Sequence, residues 1–256
     1  MSIYQKSIAV VAHPDDEILW LSSILDKVDH ILFCFINYPP QSSLGAGRHA
    51  AISEYPLRNI SLLDIDEAVS FNVANWNKPI ESEYGLEISS NKAAAKRYAN
   101  NYYTLHERLS ERLKGVDNVF THNPWGEYGH EDHVQVYRVI KDIQNQYGFN
   151  LWFTNYCGNR SYRLMLKYIS SFNTNYHTLQ TNIDLAKKIA DVYKKHDCWT
   201  WYGGYQWFKE ECLINDADIL NSNKEFGYIS PINFIKTRIP DKPNLLKKIF
   251  DHFEKK

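Results

Sequence analysis

Two short stretches of this chain concentrate side chains that bind metals or move protons. One is His13-Pro14-Asp15-Asp16-Glu17, and the other is Gly129-His130-Glu131-Asp132-His133. Imidazole and carboxylate groups suit zinc and other divalent ions, and a catalytic zinc takes three protein ligands and keeps a position for water. His130 and His133 lie three apart at the start of an expected helix, so both rings can face one side. One can then bind a metal while the other faces a substrate. Asp15 and Asp16 are adjacent and cannot easily share a role. If Asp16 turns in to the metal, Asp15 lies beside the activated water and can take its proton. Each piece alone has a plainer explanation. An HxxH pair on a helix is often a surface feature, and an Asp pair after a strand can cap the next helix. Both clusters, however, fall at the same edge of one expected sheet, beyond the carboxyl ends of its strands, where open α/β sheets bind ligands.

The elements that must position them alternate. Ser7 to Ala12 is a continuous apolar run rich in β-branched residues, the pattern of a buried parallel strand. The spacing of Ile18, Leu19, Leu21, Ile24 and Leu25 predicts a helix after it. Ile31 to Ile36 is a second buried strand, Pro39 to Gly47 a loop, and Arg48 to about Tyr55 a helix. Residues 60 to 90 hold short strand-like pieces. Lys92 to Lys114 is a long helical pattern, Asn118 to Thr121 a strand, His130 to about Gln146 a helix, and Phe149 to Thr154 another strand. This order predicts an α/β fold, a doubly wound, mostly parallel sheet with helices on both faces. Beyond it, Thr178 to Ile183 reads as a strand, Asp184 to Lys195 as a helix and Trp199 to Phe208 as an aromatic stretch. The Lys-rich tail from Lys242 reads as a surface helix. No repeat or low-complexity linker interrupts the chain, so residues 1–256 are expected to form one domain, less regular from about residue 200.

Composition narrows the partners. Of 256 residues, 44% are apolar, enough for a sizeable core, and the formal net charge of -1 gives no global pull toward nucleic acid or anionic membranes. The 18 Tyr and 7 Trp suit flat, amphipathic ligands such as sugar rings, and equally fill a core and its rim. Cys34, Cys157, Cys198 and Cys212 form no CxxC pair and read as buried free thiols. The apolar run Ile8 to Ala12 is too short for a secretory signal, and no stretch approaches the roughly 20 apolar residues that span a bilayer. A cytoplasmic protein without a transmembrane segment is the expectation.

Ala12-His-Pro-Asp-Asp-Glu17 followed at a distance by Gly129-His-Glu-Asp-His133 resembles the PIG-L/LmbE family of metal-dependent de-N-acetylases, over roughly residues 5 to 200. Its members deacetylate N-acetylglucosamine-containing lipids, thiol precursors and antibiotic sugars, on a Rossmann-like sheet. By position, the resemblance implies that His13, Asp16 and His133 bind Zn2+, or another divalent metal. It implies that Asp15 is the general base, and that His130 stabilises the oxyanion, in protonated form, or protonates the leaving amine. Asp132 matches the acid that orients a site histidine. Arg48 resembles an arginine that reaches the substrate, or is an ordinary solvated one. Where the family usually has proline in the second motif, this chain has Glu131. His196-Asp-Cys-Trp199 stands where many members have a His-x-Ser-Gln segment, so His196 either lines the pocket or is an exposed histidine at a helix end.

Trp125, Glu127 and Tyr128 directly precede the second motif and are candidates for touching a sugar, Trp125 alternatively being a loop anchor. Trp199 to Trp207 could form another wall. The expected function is removal of an N-acetyl group from an amino-sugar substrate by a metal-activated water. A non-catalytic sugar-binding protein on the same fold, or a hydrolase of another N-acyl or ester bond, is the alternative. A dinucleotide-binding protein would want GxGxxG after the first strand, where this chain carries carboxylates that would repel a pyrophosphate.

Overall fold

Ser7 to Val11 does form a strand buried on both sides, and its alternate residues enter two separate cores. Ile8 and Val10 pack on one face of the sheet, Ala9 and Val11 on the other. The computed structural model describes residues 2–168, 176–217 and 231–237. The Lys-rich tail from Lys242 lies outside them.

In chain order, β1 (Ser7–Val11) leads to the single turn α1 (Asp16–Trp20), and β2 (His30–Asn37) to α2 (Ser42–Ser53). β3 (Ile60–Asp66) is followed by the small antiparallel pair β4 (Glu81–Ser82) and β5 (Gly85–Leu86), then by α3 (Lys92–Arg112). β6 (Asn118–Thr121), α4 (Glu131–Tyr147) and β7 (Asn150–Thr154) complete the alternation. After them come β8 (Tyr156–Gly158), α5 (Tyr162–Met165), β9 (Tyr176–Gln180), α6 (Ile183–Lys195), β10 (Glu210–Asn215) and β11 (Asn233–Ile235).

Seven strands form one sheet in the order β3-β2-β1-β6-β7-β10-β9. It is parallel from β3 to β7, and β10 and β9 extend it antiparallel. β11 pairs parallel with β8 beside it. Leu105 and Leu109 of α3 pack with Val136 and Ile140 of α4 against one face, and Ala51 of α2 with Ile189 and Tyr193 of α6 against the other. The fold is thus an α/β, mostly parallel sheet covered on both faces. All four cysteines are buried and free. No helix among the described residues is long and apolar enough to cross a membrane.

Several elements differ from the sequence expectation, α2, α1 and β10 among them. α2 starts at Ser42, six residues before Arg48, and runs through Gly45 and Gly47. A Cβ on Gly47 would sit 2.3 Å from the carbonyl oxygen of His196, so this glycine permits close approach of the end of α6. α1 stops at Trp20, and Ile24 and Leu25 reach the core from turns. β10 was not expected: it opens with Glu210 and Glu211, which mask its strand character, yet Glu211 is buried.

Candidate active site

β1 has β2 on one side and β6 on the other, so the chain leaves the sheet in opposite directions around its carboxyl end. Such a switch point opens a crevice. Residues 13–17 leave β1 there, and the loop 122–130 leaves β6 and enters α4. A cavity of about 530 Å³ lies above, with His13, Asp15, Asp16, Arg48, Tyr128 and His130 in its wall.

His13, Asp16 and His133 converge, with one ligand-type atom from each within 4.8 Å of the others. His13 Nδ1 is 3.0 Å from Asp16 Oδ2, and His133 Nε2 is 3.2 Å from Asp16 Oδ1. His133 Nε2 is fully buried and has no hydrogen-bond partner. A buried nitrogen of that kind beside a carboxylate oxygen, with a second imidazole on the same carboxylate, is compatible with a bound cation. The donor set of two imidazoles and one carboxylate fits zinc or a similar divalent ion. The electrostatics agree in sign. Burial alone would lower the proton affinity of His13, but Glu67, Asp132 and Asp16 push its pKa up to about 10. Asp16 and Glu127 likewise push His133 up to about 9 against burial. Burial opposes ionisation of Asp16 too, yet His133 and His13 hold its carboxyl well below the usual range.

Asp15 adopts φ 107°, a left-handed conformation rare for a side-chain-bearing residue. Its N–H donates to Glu17 Oε2 at 2.9 Å, and its Oδ2 accepts from the hydroxyl of Thr200 at 2.5 Å. Burial, and then the neighbouring Asp16, raise the proton affinity of Asp15 above that of an ordinary carboxyl. Glu17 faces away from the cavity, accepting from Tyr55 (3.0 Å) and Tyr193 (2.7 Å). Asp132 accepts from Ser70 Oγ at 2.6 Å and lies 3.3 Å from His13 Nε2.

His130 caps α4: its Nδ1 accepts the N–H of Asp132 at 3.1 Å. An accepting nitrogen bears no proton, so the proton of a neutral His130 is on Nε2. Burial, then the nearby His133 and His13, hold its pKa well below the ordinary imidazole value. A neutral His130 therefore offers the cavity an N–H from Nε2. Phe71 stacks on it at 4.8 Å. The loop that carries Phe71 is tied down by Glu131, which accepts from the N–H groups of Asn72 (3.3 Å) and Ala74 (2.9 Å) and from Trp76 Nε1 (3.0 Å).

Not every expected substrate contact reaches the cavity. Arg48 does, its Nη1 donating to Glu67 Oε1 at 2.5 Å, and so does Tyr128. Trp125 points into the core, donating to the carbonyl of Tyr156 at 2.7 Å and meeting Phe153 edge-on. Glu127 lies behind the site, because positive φ at Gly126 and Glu127 turns its carboxylate inward between His122 and His133. His196 lies 3.2 Å from Glu54 at the end of α2, outside the cavity wall. In its place Thr200, Trp201 and Tyr202 form the wall, with Glu67 and Phe71 opposite. The aromatic density of residues 199–208 was the one signal for that wall; nothing in the sequence singled out Thr200, Glu67 or Phe71.

No model of a known family matches this chain, and no curated protein matches it. Among solved structures, it is similar to a teicoplanin deacetylase in its zinc-inhibited form, with a TM-score of 0.50 at 9% identity over 82% of this chain and 97% of that one. It also matches a deacetylase–teicoplanin complex (TM-score 0.46, 9% identity, 83% and 99% covered). An A40926 pseudoaglycone deacetylase gives a TM-score of 0.41 at 11% identity, with 83% and 97% covered. At these identities the likeness describes the fold, an α/β sheet shared over most of both chains.

Proposed function

We propose that this chain is a divalent-metal-dependent hydrolase of the PIG-L/LmbE kind that removes an N-acetyl group from a sugar-containing substrate. The observation that carries the reading is the buried convergence of His13, Asp16 and His133 beside a cavity that also holds Asp15 and His130. The teicoplanin deacetylase of similar fold supports deacetylation as the reaction for this chain as well.

His13, Asp16 and His133 would hold the ion. Bound there, it supplies Lewis acidity, which polarises a carbonyl and acidifies water. Asp15, pinned by Thr200, takes the proton of the attacking water, and its raised proton affinity favours that transfer near neutral pH. His130 Nε2–H points its dipole at the carbonyl oxygen as charge develops there, and acts without gaining a proton. Asp15 then returns its proton to the departing nitrogen, releasing a free amine and acetate. Asp132 holds the outer nitrogen of His13, keeping the ring in place. Arg48 and Glu67 offer charged hydrogen-bonding groups to sugar hydroxyls, and Tyr128, Trp201 and Tyr202 offer ring faces.

The test is metal content of protein purified without a metal-affinity tag, together with acetate release from a panel of N-acetylated amino sugars. About one zinc per chain in the wild type, absent in His133→Ala, with acetate released only by the metal-loaded wild type, is the expected result. A wild type that takes up no zinc when zinc is offered would overturn the reading.

A further inference from the structure

We infer that Glu127 is a positioning residue that decides which nitrogen of His133 faces the proposed cation site, at the end of a relay beginning at the backbone N–H of Ala12. The inference rests on the metal-site reading above. Ala12 N–H donates to His122 Nε2 at 2.8 Å. That nitrogen therefore carries a lone pair, and the proton of the neutral ring is on Nδ1. His122 Nδ1–H donates to Glu127 Oε2 at 3.1 Å. The same oxygen accepts His133 Nδ1–H at 2.6 Å, and Glu127 Oε1 accepts the N–H of Asn123 at 2.8 Å. All these groups are buried.

The carboxylate offers only lone pairs, so both rings must present an N–H to it. The opposite tautomer of His133 would set a lone pair against a carboxylate oxygen at 2.6 Å. Glu127 thus leaves the His133 lone pair on Nε2, the atom beside Asp16 that has no hydrogen-bond partner. The carboxylate is itself held in place. Glu127 N–H donates to Asn123 Oδ1 at 2.9 Å, and Asn123 Nδ2 donates to the carbonyls of Thr154 (3.2 Å) and Tyr156 (2.9 Å). The second motif is in this way registered against β7, β8 and the end of β1 before any ligand arrives. Three ligand-type atoms of His122, Glu127 and His133 lie close together, but each is already hydrogen-bonded, so the group acts as a support and not as a second ion site.

Carboxylates behind metal-binding imidazoles hold the ring and raise its basicity, and losing one costs about 10–100-fold in metal affinity. The experiment measures zinc dissociation constants of the full chain by chelator competition, for the wild type and Glu127→Gln. Glutamine keeps the size but must turn an NH2 toward one of the donors. The expected result is zinc binding about 10–100-fold weaker in a variant whose circular dichroism is unchanged. Equal affinity in a folded variant, with zinc bound by the wild type, overturns the role of Glu127 alone. A wild type that binds no zinc overturns the metal-site reading and this inference with it. Should Glu127→Gln fail to fold, histidine 15N spectra of the zinc-loaded wild type decide the matter. A proton on His133 Nδ1 with the metal on Nε2 is expected, and the reverse overturns the inference.

Discussion

Asp15 is held in a backbone conformation that costs on the order of 1–3 kcal/mol. Four residues keep it there: Glu17 accepts its N–H, Thr200 donates to its carboxylate, and Tyr55 and Tyr193 anchor Glu17 in turn. The conformation separates two adjacent carboxylates, sending Asp16 to the histidines and Asp15 to the cavity wall. Asp15→Ala is expected to slow acetate release by about 10²–10⁴-fold while zinc content stays at the wild-type level, because a proton acceptor is lost and no ligand. Loss of zinc in that variant, read by metal analysis, would make Asp15 a ligand. The grouping of His13, Asp16 and His133 was legible at this scale because imidazole and carboxylate announce themselves by type. The wall was not. A glutamate before the motif reads as a polar contact to a substrate, and only the turn at Gly126 and Glu127, with two histidines waiting behind it, sends Glu127 inward.

Between elements, α2 comes close to the end of α6 at Gly47. Gly47→Ala puts a methyl group 2.3 Å from the His196 carbonyl, so the two elements must separate. A loss of about 1–3 kcal/mol is expected, seen as a lower Tm in thermal melts. An unchanged Tm would mean that α2 and α6 do not meet as described. The central strands could be read directly, because parallel strands buried on both faces become unbroken apolar runs, as in Ser7 to Val11 and Ile31 to Ile36. α2 and β10 could not. Glycines normally argue against a helix interior, and paired glutamates argue against a buried strand. Each is overridden here by a tertiary partner, the His196 carbonyl for Gly47 and the Ser23 N–H for Glu211.

For the whole molecule, Glu211 links stability to pH. Its carboxyl accepts from Ser23 N–H and the Tyr156 hydroxyl, both at 2.9 Å, and burial pushes its pKa up to about 7. In the unfolded chain it titrates near about 4.3. Between those values the folded protein keeps a proton that the unfolded chain has released, so this group's contribution falls as pH rises through that window. Glu211→Gln does not ionise. Its Tm relative to the wild type should therefore be higher at pH 8 than at pH 5, and a difference independent of pH would show that Glu211 does not titrate in this range.

The hydrogen bond from Thr200 to Asp15 joins residues 185 positions apart. For a chain emerging from the ribosome in order, that separation becomes a schedule. His13, Asp16 and His133 are all available once α4 has been made, whereas the hydroxyl that steadies Asp15 follows α6. The carboxylates of Asp15 and Asp16 are thus made together, but the side chain that steadies the first is made long after the histidines that meet the second.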